Sequence, residues 1–276
     1  MASTTAFHWN VSPVLVQFGP LAIRWYGLCF AGAFIVGFWI AERMYRREGK
    51  DPKSLDSLLI YMLIGAVVGA RLGHVLFYDP HYYLTHPIHI FKIWEGGLAS
   101  HGGAAGILIA VYLYTRRAES ESYLWLLDRV AIPTALGGCF IRMGNFFNSE
   151  IIGTPTSRWW GVVFDRVDPL PRHPVQLFEA LAYGLIFVVL LMVYRRRESR
   201  SREGLLLGLF FLLVFTARFM LEFLKTPQAE YEAGFALSVG QMLSVPFILV
   251  GIGLIVRARK KSGQPSQERP SPTMRK

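Results

Sequence analysis

The stretch PVQLFEALAYGLIFVVLLMVY, Pro174–Tyr194, decides the fold class of this chain. It carries one charged residue, Glu179, in a run long enough to cross a bilayer as a helix, which takes about 20 residues. Two further stretches, Leu21–Ala41 and Leu237–Val256, are comparably long and apolar. The sequence therefore predicts a membrane protein that is built from helices.

Four less apolar stretches complete a predicted set of seven spans. They are Leu58–Tyr78, Leu98–Tyr114, Leu124–Ile141 and Gly204–Leu224. They contain side chains that a bilayer disfavours, namely Arg71, His101, Asp128, Arg129, Arg218 and Glu222. We predict an all-α polytopic membrane protein with about seven transmembrane helices.

The composition excludes most other classes of protein. Residues of the AVILMFWYC set make up 53% of the 276 residues and charged residues make up 17%, with a mean hydropathy of +0.34. A soluble domain carries about a quarter charged residues, and a chain so rich in aromatic residues does not stay disordered. Cys29 and Cys139 lie inside apolar runs without zinc-ligand spacing, so we expect no disulfide scaffold, no metal and no cofactor.

The basic residues are distributed unevenly between the two sets of loops. The segments after spans one, three, five and seven hold 19 of the 29 Lys and Arg residues, and the opposite segments hold 5. By the positive-inside rule, the N-terminus lies outside and the C-terminus in the cytoplasm. The formal charge of +10 is then a topology signal, and no nucleic-acid partner is expected. Residues 1–256 are predicted to form one membrane-embedded domain, and residues 257–276 a basic, disordered cytoplasmic tail.

The longest ordered connection is the external segment 143–173, between spans four and five. It is rich in Gly, Asn, Asp and Pro, whereas the basic loops are short and chemically plain. Loops of this length usually carry function, so we expect the site at the outer face. His81, His86 and His89 also lie outside, but no carboxylate has ligand spacing to them, so we interpret them as interfacial residues.

The sequence IRMGNFFNSEIIG, Ile141–Gly153, is the stretch richest in potential ligands. An arginine such as Arg142 can bind a phosphate through two hydrogen bonds. Asn145 and Asn148 offer donors and acceptors, and Gly153 permits a tight turn. These residues alone are equally consistent with an anion site and with a loop that caps helices.

The ionisable residues inside the predicted spans require partners. Arg218 and Glu222 lie on one helix face, so they form either a structural salt bridge or part of a site. The glycines around Arg71 suit close helix packing, whereas Arg71 itself needs an anion or a carboxylate. Asp128 and Arg129 stand near the cytoplasmic end of their span, where long side chains extend to water.

The segment Arg142–Gly153, hereafter the signature segment, resembles the R-x-G-N-F-x-N-x-E-x-x-G signature of prolipoprotein diacylglyceryl transferases at every fixed position. Further stretches resemble the same family in the same order. They are IRWYG (Ile23–Gly27), GARLG (Gly69–Gly73), EGGLASHGG (Glu95–Gly103), RHPVQLFE (Arg172–Glu179), RFMLEF (Arg218–Phe223) and LSVGQMLSVP (Leu237–Pro246). This chain has Val214 where family members often carry a tyrosine, so position 214 offers no hydroxyl group.

The resemblance implies a multi-pass enzyme of the bacterial cytoplasmic (inner) membrane whose active site faces the outer leaflet. Such an enzyme moves the diacylglyceryl group of phosphatidylglycerol onto the lipobox cysteine thiol of a prolipoprotein, the first step of bacterial lipoprotein maturation. A thioether forms and glycerol phosphate leaves. The nucleophile belongs to the partner protein, which is consistent with Cys29 and Cys139 acting as apolar filler.

Carried onto this chain, the resemblance gives ten candidate residues. The candidate catalytic residues are His101, Arg142, Arg218 and Glu222, and the candidate substrate-binding residues are Tyr26, Arg71, Asn145, Asn148, Glu150 and Gly153 together with both of those arginines. Guanidinium groups suit a phosphate clamp. His101 is either the base that takes the thiol proton or a scaffold residue, and both alternatives stay open. The competing classes are a polytopic transporter or channel and, less well supported by the residues, an intramembrane protease.

Overall fold

The computed structural model describes residues 6–19, 21–93, 96–118, 121–196, 202–226 and 237–262, and this part is mostly helical. Its helices are α1 (Trp25–Arg47), α2 (Lys53–Phe77), α3 (Pro80–Thr85), α4 (Ser100–Ala118), α5 (Tyr123–Asn148), α6 (Val175–Arg195), α7 (Leu205–Glu222) and α8 (Val239–Ser262), with a 3-10 helix at Pro87–Phe91. Its strands are β1 (Phe7–Trp9), β2 (Val14–Phe18), β3 (Leu21–Arg24), β4 (Val162–Phe164) and β5 (Pro171–Arg172).

Within the described ranges, six helices are long and apolar enough to cross a membrane: α1, α2, α5, α6, α7 and α8. The chain therefore has the build of a multi-pass membrane protein. The third predicted span is present as α4, but its His101, its glycines and its terminal arginines make it less apolar than the other six. The number seven and the orientation of the termini stay predictions.

The prediction of a purely helical chain is wrong at two places. The first predicted span begins at Leu21, yet Leu21–Arg24 pairs as β3 with β2 in antiparallel register, so α1 begins at Trp25. In the external segment, β4 pairs in parallel with β1 and antiparallel with β5. The hydrophobic pattern of the sequence does not reveal these strands, because they are short and are stabilised by pairing with other segments of the chain.

The external segment also begins later than predicted. Helix α5 continues to Asn148, so residues 143–148 form its last turns. Near the C-terminus, α8 runs to Ser262, so the first six residues of the predicted disordered tail, 257–262, are helical. The rest of that tail, residues 263–276, lies outside the described residues.

The chain divides into two compact units. The first unit is Val14–Gly144, and the second unit combines the described residues of Met1–Pro13 and Asn145–Lys276. In the second unit, Phe146, Val162 and Phe164 form a core against which Trp9 packs. The Trp9 Nε1 also donates a hydrogen bond to the carbonyl oxygen of Phe146 at 3.1 Å. The end of α5 is thereby fixed to β1 and β4. The predicted single domain 1–256 stays a prediction.

Helices α2 and α4 approach closely through glycines in the first unit. A Cβ atom added at Gly69 would lie 2.8 Å from the Gly106 Cα, and one at Gly73 would lie 2.7 Å from the Gly102 Cα. Real Cβ atoms do not come that close to a neighbouring backbone. The packing role expected for the glycines around Arg71 is therefore confirmed.

We expect Gly69→Ala to destabilise the protein by about 1–3 kcal/mol, because two helix backbones must move apart to admit the methyl group. The matched control is Gly253→Ala, since nothing lies within 4 Å of the added Cβ there. Thermal unfolding in detergent should show a lower melting temperature for Gly69→Ala only. Equal melting temperatures for the two variants would contradict this account of the packing.

Arg129 is expected from the sequence to extend to water because it lies near a span end, but its side chain is buried. Its side chain is only 2% exposed and donates to both carboxylate oxygens of Glu48, at 3.2 and 2.7 Å. The guanidinium also lies over the Trp125 ring, 4.2 Å from its centroid. A lysine cannot reproduce two such bonds, so Arg129→Lys should not be tolerated as a neutral exchange.

Candidate functional site

Glu150 fixes the two asparagines of the signature segment. Its Oε2 accepts a hydrogen bond from Asn145 Nδ2 at 3.2 Å, and its Oε1 accepts one from Asn148 Nδ2 at 2.8 Å. The Glu150 backbone nitrogen in turn donates to the Asn145 carbonyl oxygen at 3.0 Å. Both asparagine side chains are thus held at the end of α5 by one carboxylate. Whether they contact substrate stays a prediction.

The backbone between Ser149 and Ile151 is strained. Both residues have positive φ, 56° and 55°, a region that L residues rarely adopt and a β-branched residue such as isoleucine least of all. Gln176, fully buried on α6, donates from Nε2 to the Glu150 carbonyl oxygen at 2.6 Å and holds this turn. Strain of this kind persists where the surrounding structure enforces it, and such places are often functional sites.

Several buried polar atoms beside this turn have no hydrogen-bond partner in the described part of the chain. They are Asn148 Oδ1, Ser149 Oγ and Gln176 Oε1. A buried polar atom without a partner destabilises the fold, so native proteins seldom keep one without a reason. Three such atoms therefore lie close together in sequence or contact around the turn, which is the least well satisfied polar part of the second unit that the structure describes.

Gly153 stands where no side chain fits. A Cβ atom there would lie 2.6 Å from the His173 Cβ and 2.8 Å from the Leu224 carbonyl oxygen. The Gly153 carbonyl oxygen accepts bonds from an Arg172 guanidinium nitrogen at 3.1 Å and from Thr226 Oγ1 at 3.0 Å. The tight turn expected at Gly153 is therefore a point where three segments of backbone meet, and its role is to join them.

Two titratable groups next to this junction lie outside the membrane-spanning helices. The Arg172 guanidinium bonds both oxygens of Asp168 and holds the pKa of that carboxyl below its usual value. Burial lowers the pKa of His173, helped by the positive charge of Arg158. The His173 ring accepts a hydrogen bond at Nδ1 from Trp160 Nε1, at 3.1 Å. A neutral His173 therefore borders the junction at neutral pH.

Of the two alternatives for Arg218 and Glu222, the structural salt bridge is not formed in the structure. Glu222 instead accepts from Lys225 Nζ at 2.8 Å, and Lys225 Nζ also lies 3.0 Å from Glu179 Oε1 on α6. We call Glu179, Glu222 and Lys225 the Lys225 cluster. Arg218 is half-buried on α7 and has no ion pair or hydrogen-bond partner within the described ranges. The spacing within α7 indicates Arg218 as a partner for Glu222. It gives no information about Lys225, which lies beyond the end of the helix.

The sequence reasoning missed Glu179, Lys225 and Gln176 as members of this region. A signal existed for Glu179, because it is the one charge in the stretch Pro174–Tyr194. Lys225 gave no signal, since it follows a span and could have been an ordinary loop lysine. Within the second unit, contacts thus link Asn145, Asn148, Glu150 and Gly153 to the end of α7.

The remaining candidates belong to the first unit. Arg142 and Tyr26 are both half-buried, and Tyr26 packs against Gly144, two residues after Arg142. His101 is exposed in the first turn of α4. Its ring stacks on Tyr78, with centroids 5.9 Å apart, and meets Phe77 edge-on at 5.6 Å. The ring is therefore oriented by two aromatic neighbours.

Arg71 is buried, and its guanidinium is bonded by backbone carbonyls rather than by the expected anion or carboxylate. Its donors reach the carbonyl oxygens of Ile90 at 2.9 Å, Gly96 at 2.6 Å, Gly97 at 3.1 Å, Lys92 at 3.4 Å and also His89. These bonds occupy all of its N–H groups. Arg71 therefore organises the segment that leads into α4.

No group of three or more His, Cys, Asp or Glu residues suited to a metal ion occurs in the part of the chain that the structure describes. The described residues offer an unpaired guanidinium, Arg218, near the end of an apolar helix, and in the same compact unit a strained, polar turn at residues 149–151. These features define a multi-pass membrane protein with a candidate site for an anionic ligand.

Comparison with known proteins gives the family. The family model described as prolipoprotein diacylglyceryl transferase matches residues 13–257. A relative from Tolumonas auensis named phosphatidylglycerol--prolipoprotein diacylglyceryl transferase is 58% identical over 93% of this chain and 99% of its own length. Proteins of the same name from Chloroherpeton thalassium and Porphyromonas gingivalis are 48% and 46% identical, over 95% and 91% of this chain and 98% and 94% of their own lengths. The chain belongs to the prolipoprotein diacylglyceryl transferase family, and the family assignment displaces the transporter and protease alternatives.

Proposed function

We propose that this chain transfers the diacylglyceryl group of phosphatidylglycerol to the lipobox cysteine of prolipoproteins, as the first step of lipoprotein maturation. Phosphatidylglycerol and prolipoprotein are the substrates in the names of its relatives. The reaction takes place in the bacterial inner membrane, with the active site towards the outer leaflet. The lipid and the membrane-bound end of the prolipoprotein then meet without leaving the bilayer.

The chemistry is one displacement at carbon. The cysteine sulfur forms a bond to the carbon of the diacylglycerol unit that carries the phosphate. The bond from that carbon to the phosphate oxygen breaks. Glycerol phosphate leaves with the electron pair, and the thiol proton goes to a base or to water. Negative charge grows on the leaving phosphate, so fixed cations aimed at it lower the barrier.

Arg218 is the residue that carries this proposal. A half-buried guanidinium with no partner within the described ranges, placed near the end of an apolar helix, needs an anion. The planar guanidinium matches two phosphate oxygens at once. Arg142 supplies the second clamp, and the side chains held by Glu150 supply amide donors to the headgroup.

The thiol must lose its proton, since the thiolate is the nucleophile and a free cysteine has a pKa of about 8.5. His101 acts as the base in one version of the proposal. In the other version, the positive charge of Arg142 and Arg218 lowers the thiol pKa and His101 is a scaffold residue. Tyr26 serves as a hydrogen-bond partner of the headgroup, and Arg71 acts indirectly by ordering the segment before His101.

The direct test uses purified protein, phosphatidylglycerol and a synthetic peptide with a lipobox. Mass spectrometry should detect the addition of one diacylglyceryl group on the peptide cysteine. A peptide with serine in place of that cysteine is the matched control and should gain nothing. Well-folded protein that modifies neither peptide would overturn the proposal.

Topology has its own expected result. Because the basic loops hold 19 Lys and Arg residues against 5 in the opposite loops, a cysteine at Ser157 should react from outside and one at Ser199 from the cytoplasm. Ser199 lies outside the described residues. The experiment labels intact cells with an impermeant maleimide in a background without Cys29 and Cys139. Labelling of both sites from the same side would refute the seven-span arrangement.

A further inference from the structure

Glu222 stands at the position from which it would normally neutralise Arg218. The two residues are four apart on α7, a spacing that brings opposite charges together on one helix face. An ion pair between them would occupy the guanidinium that the phosphate needs. In the structure, the Glu222 carboxylate turns to Lys225 instead, at 2.8 Å.

Lys225 is firmly fixed by its own backbone and side chain. Residue 225 forms a β-bridge with Gly153, and the preceding carbonyl oxygen, of Leu224, accepts from the Thr154 nitrogen at 2.8 Å. The Lys225 side chain is 5% exposed, and Glu179, which it contacts at 3.0 Å, is fully buried. The signature segment and α6 therefore place this ammonium group jointly.

The backbone of α8 confines Glu222 from a further direction. A Cβ atom at Gly240 would lie 2.6 Å from the Glu222 Cδ, so the carboxylate lies directly against the glycine. Both carboxylates, Glu179 and Glu222, lie within 3.0 Å of the Lys225 ammonium nitrogen, and Arg218 forms no ion pair in the described part of the chain. If Lys225 were removed, Glu222 would be free to pair with Arg218, which lies four residues earlier on the same helix.

We propose that Lys225 and Glu179 are positioning residues that hold Glu222 away from Arg218 and so keep the Arg218 guanidinium open to a phosphate headgroup. This inference rests on the proposed phosphate clamp. The Glu179 carboxylate fixes Lys225, Lys225 fixes Glu222, and none of the three needs to touch the lipid. When the lysine is removed, Glu222 pairs with Arg218 and occupies the guanidinium group that would bind the phosphate.

The test measures phosphatidylglycerol binding to the full-length protein in neutral detergent, by calorimetric titration. Lys225→Met should weaken binding about tenfold or more and raise KM, with kcat at saturating lipid changed much less. Adding Glu222→Gln should restore binding, because no carboxylate then competes for Arg218. Lys225→Arg should bind nearly as the parent does. A merely structural defect would not be reversed by a second substitution.

Lys225→Met leaves Glu179 buried without its ammonium partner, so the variant alone could fail to fold. The same measurements are therefore made in a Glu179→Gln background, where no uncompensated carboxylate is left. Unchanged binding in folded Glu179→Gln/Lys225→Met, or weak binding that Glu222→Gln does not reverse, would overturn the inference.

Arg218→Lys separates this failure from failure of the proposed function. If Arg218→Lys loses binding while the Lys225 variants keep it, the clamp stands and the positioning role falls. If Arg218→Lys binds and transfers as the parent does, the clamp itself is wrong, and the positioning role falls with it.

Discussion

Arg218→Lys should reduce diacylglyceryl transfer by about 100-fold or more, although the positive charge is kept. An ammonium group cannot form two parallel hydrogen bonds to a phosphate, and the lysine ammonium sits on a more flexible stem. The measurement is the initial rate of diacylglyceryl addition to a lipobox peptide at saturating phosphatidylglycerol. We expect the same behaviour from Arg142→Lys.

The matched control is Arg257→Lys, because Arg257 is exposed near the end of α8 and has no partner in the described part of the chain. That variant should keep its activity. Arg129→Lys is unsuitable as a control, since Arg129 is buried against Glu48. Full activity in Arg218→Lys would remove Arg218 as the clamp, and full activity in Arg142→Lys would remove Arg142 as the second one.

His101→Gln should lower the rate by roughly 100-fold at neutral pH if His101 takes the thiol proton. Glutamine keeps a hydrogen-bonding side chain but cannot accept that proton. The deficit should shrink as the pH rises towards about 8.5, because the peptide then supplies thiolate without a base. The measurement is the rate of the variant relative to the parent across this pH range.

Under the alternative, the arginines activate the thiol and His101→Gln loses little at any pH. The defect that high pH relieves should then appear in Arg142 and Arg218 variants. His101→Phe is a useful companion variant, because it preserves an aromatic ring to pack against Phe77 and Tyr78 while removing both nitrogens. A nearly normal rate for folded His101→Gln at neutral pH would leave His101 only the scaffold role.

The polar contacts of the site follow from the sequence only in part. Asn145, Asn148 and Glu150 lie within six residues of one another, and their side chains are joined by local hydrogen bonds. The spacing of Arg218 and Glu222 allows a local ion pair, but Glu222 pairs with Lys225 instead. Local spacing succeeds where no stronger partner competes, and it fails where a buried cation arrives from another segment.

Arg71 and Arg129 make the same point for charges in apolar stretches. The sequence predicts a partner for Arg71 and an extension to water for Arg129, yet both guanidinium groups are buried with partners in the structure. The partners are the backbone carbonyls before α4 in one case and Glu48 in the other. The need is a property of the residue and its surroundings, whereas the identity of the partner depends on which segments pack together.

The sequence by itself determined the membrane class, the positions of the apolar helices and the family. A membrane-spanning helix needs a long run of apolar residues, and such a run can be recognised in the sequence without a structure. Only the tertiary structure decided that β3 precedes the first helix, that Glu150 and Gln176 hold a strained turn, and that Lys225 takes Glu222 from Arg218. Those outcomes depend on contacts between residues far apart in the chain, whose energies are set by geometry that no local pattern records.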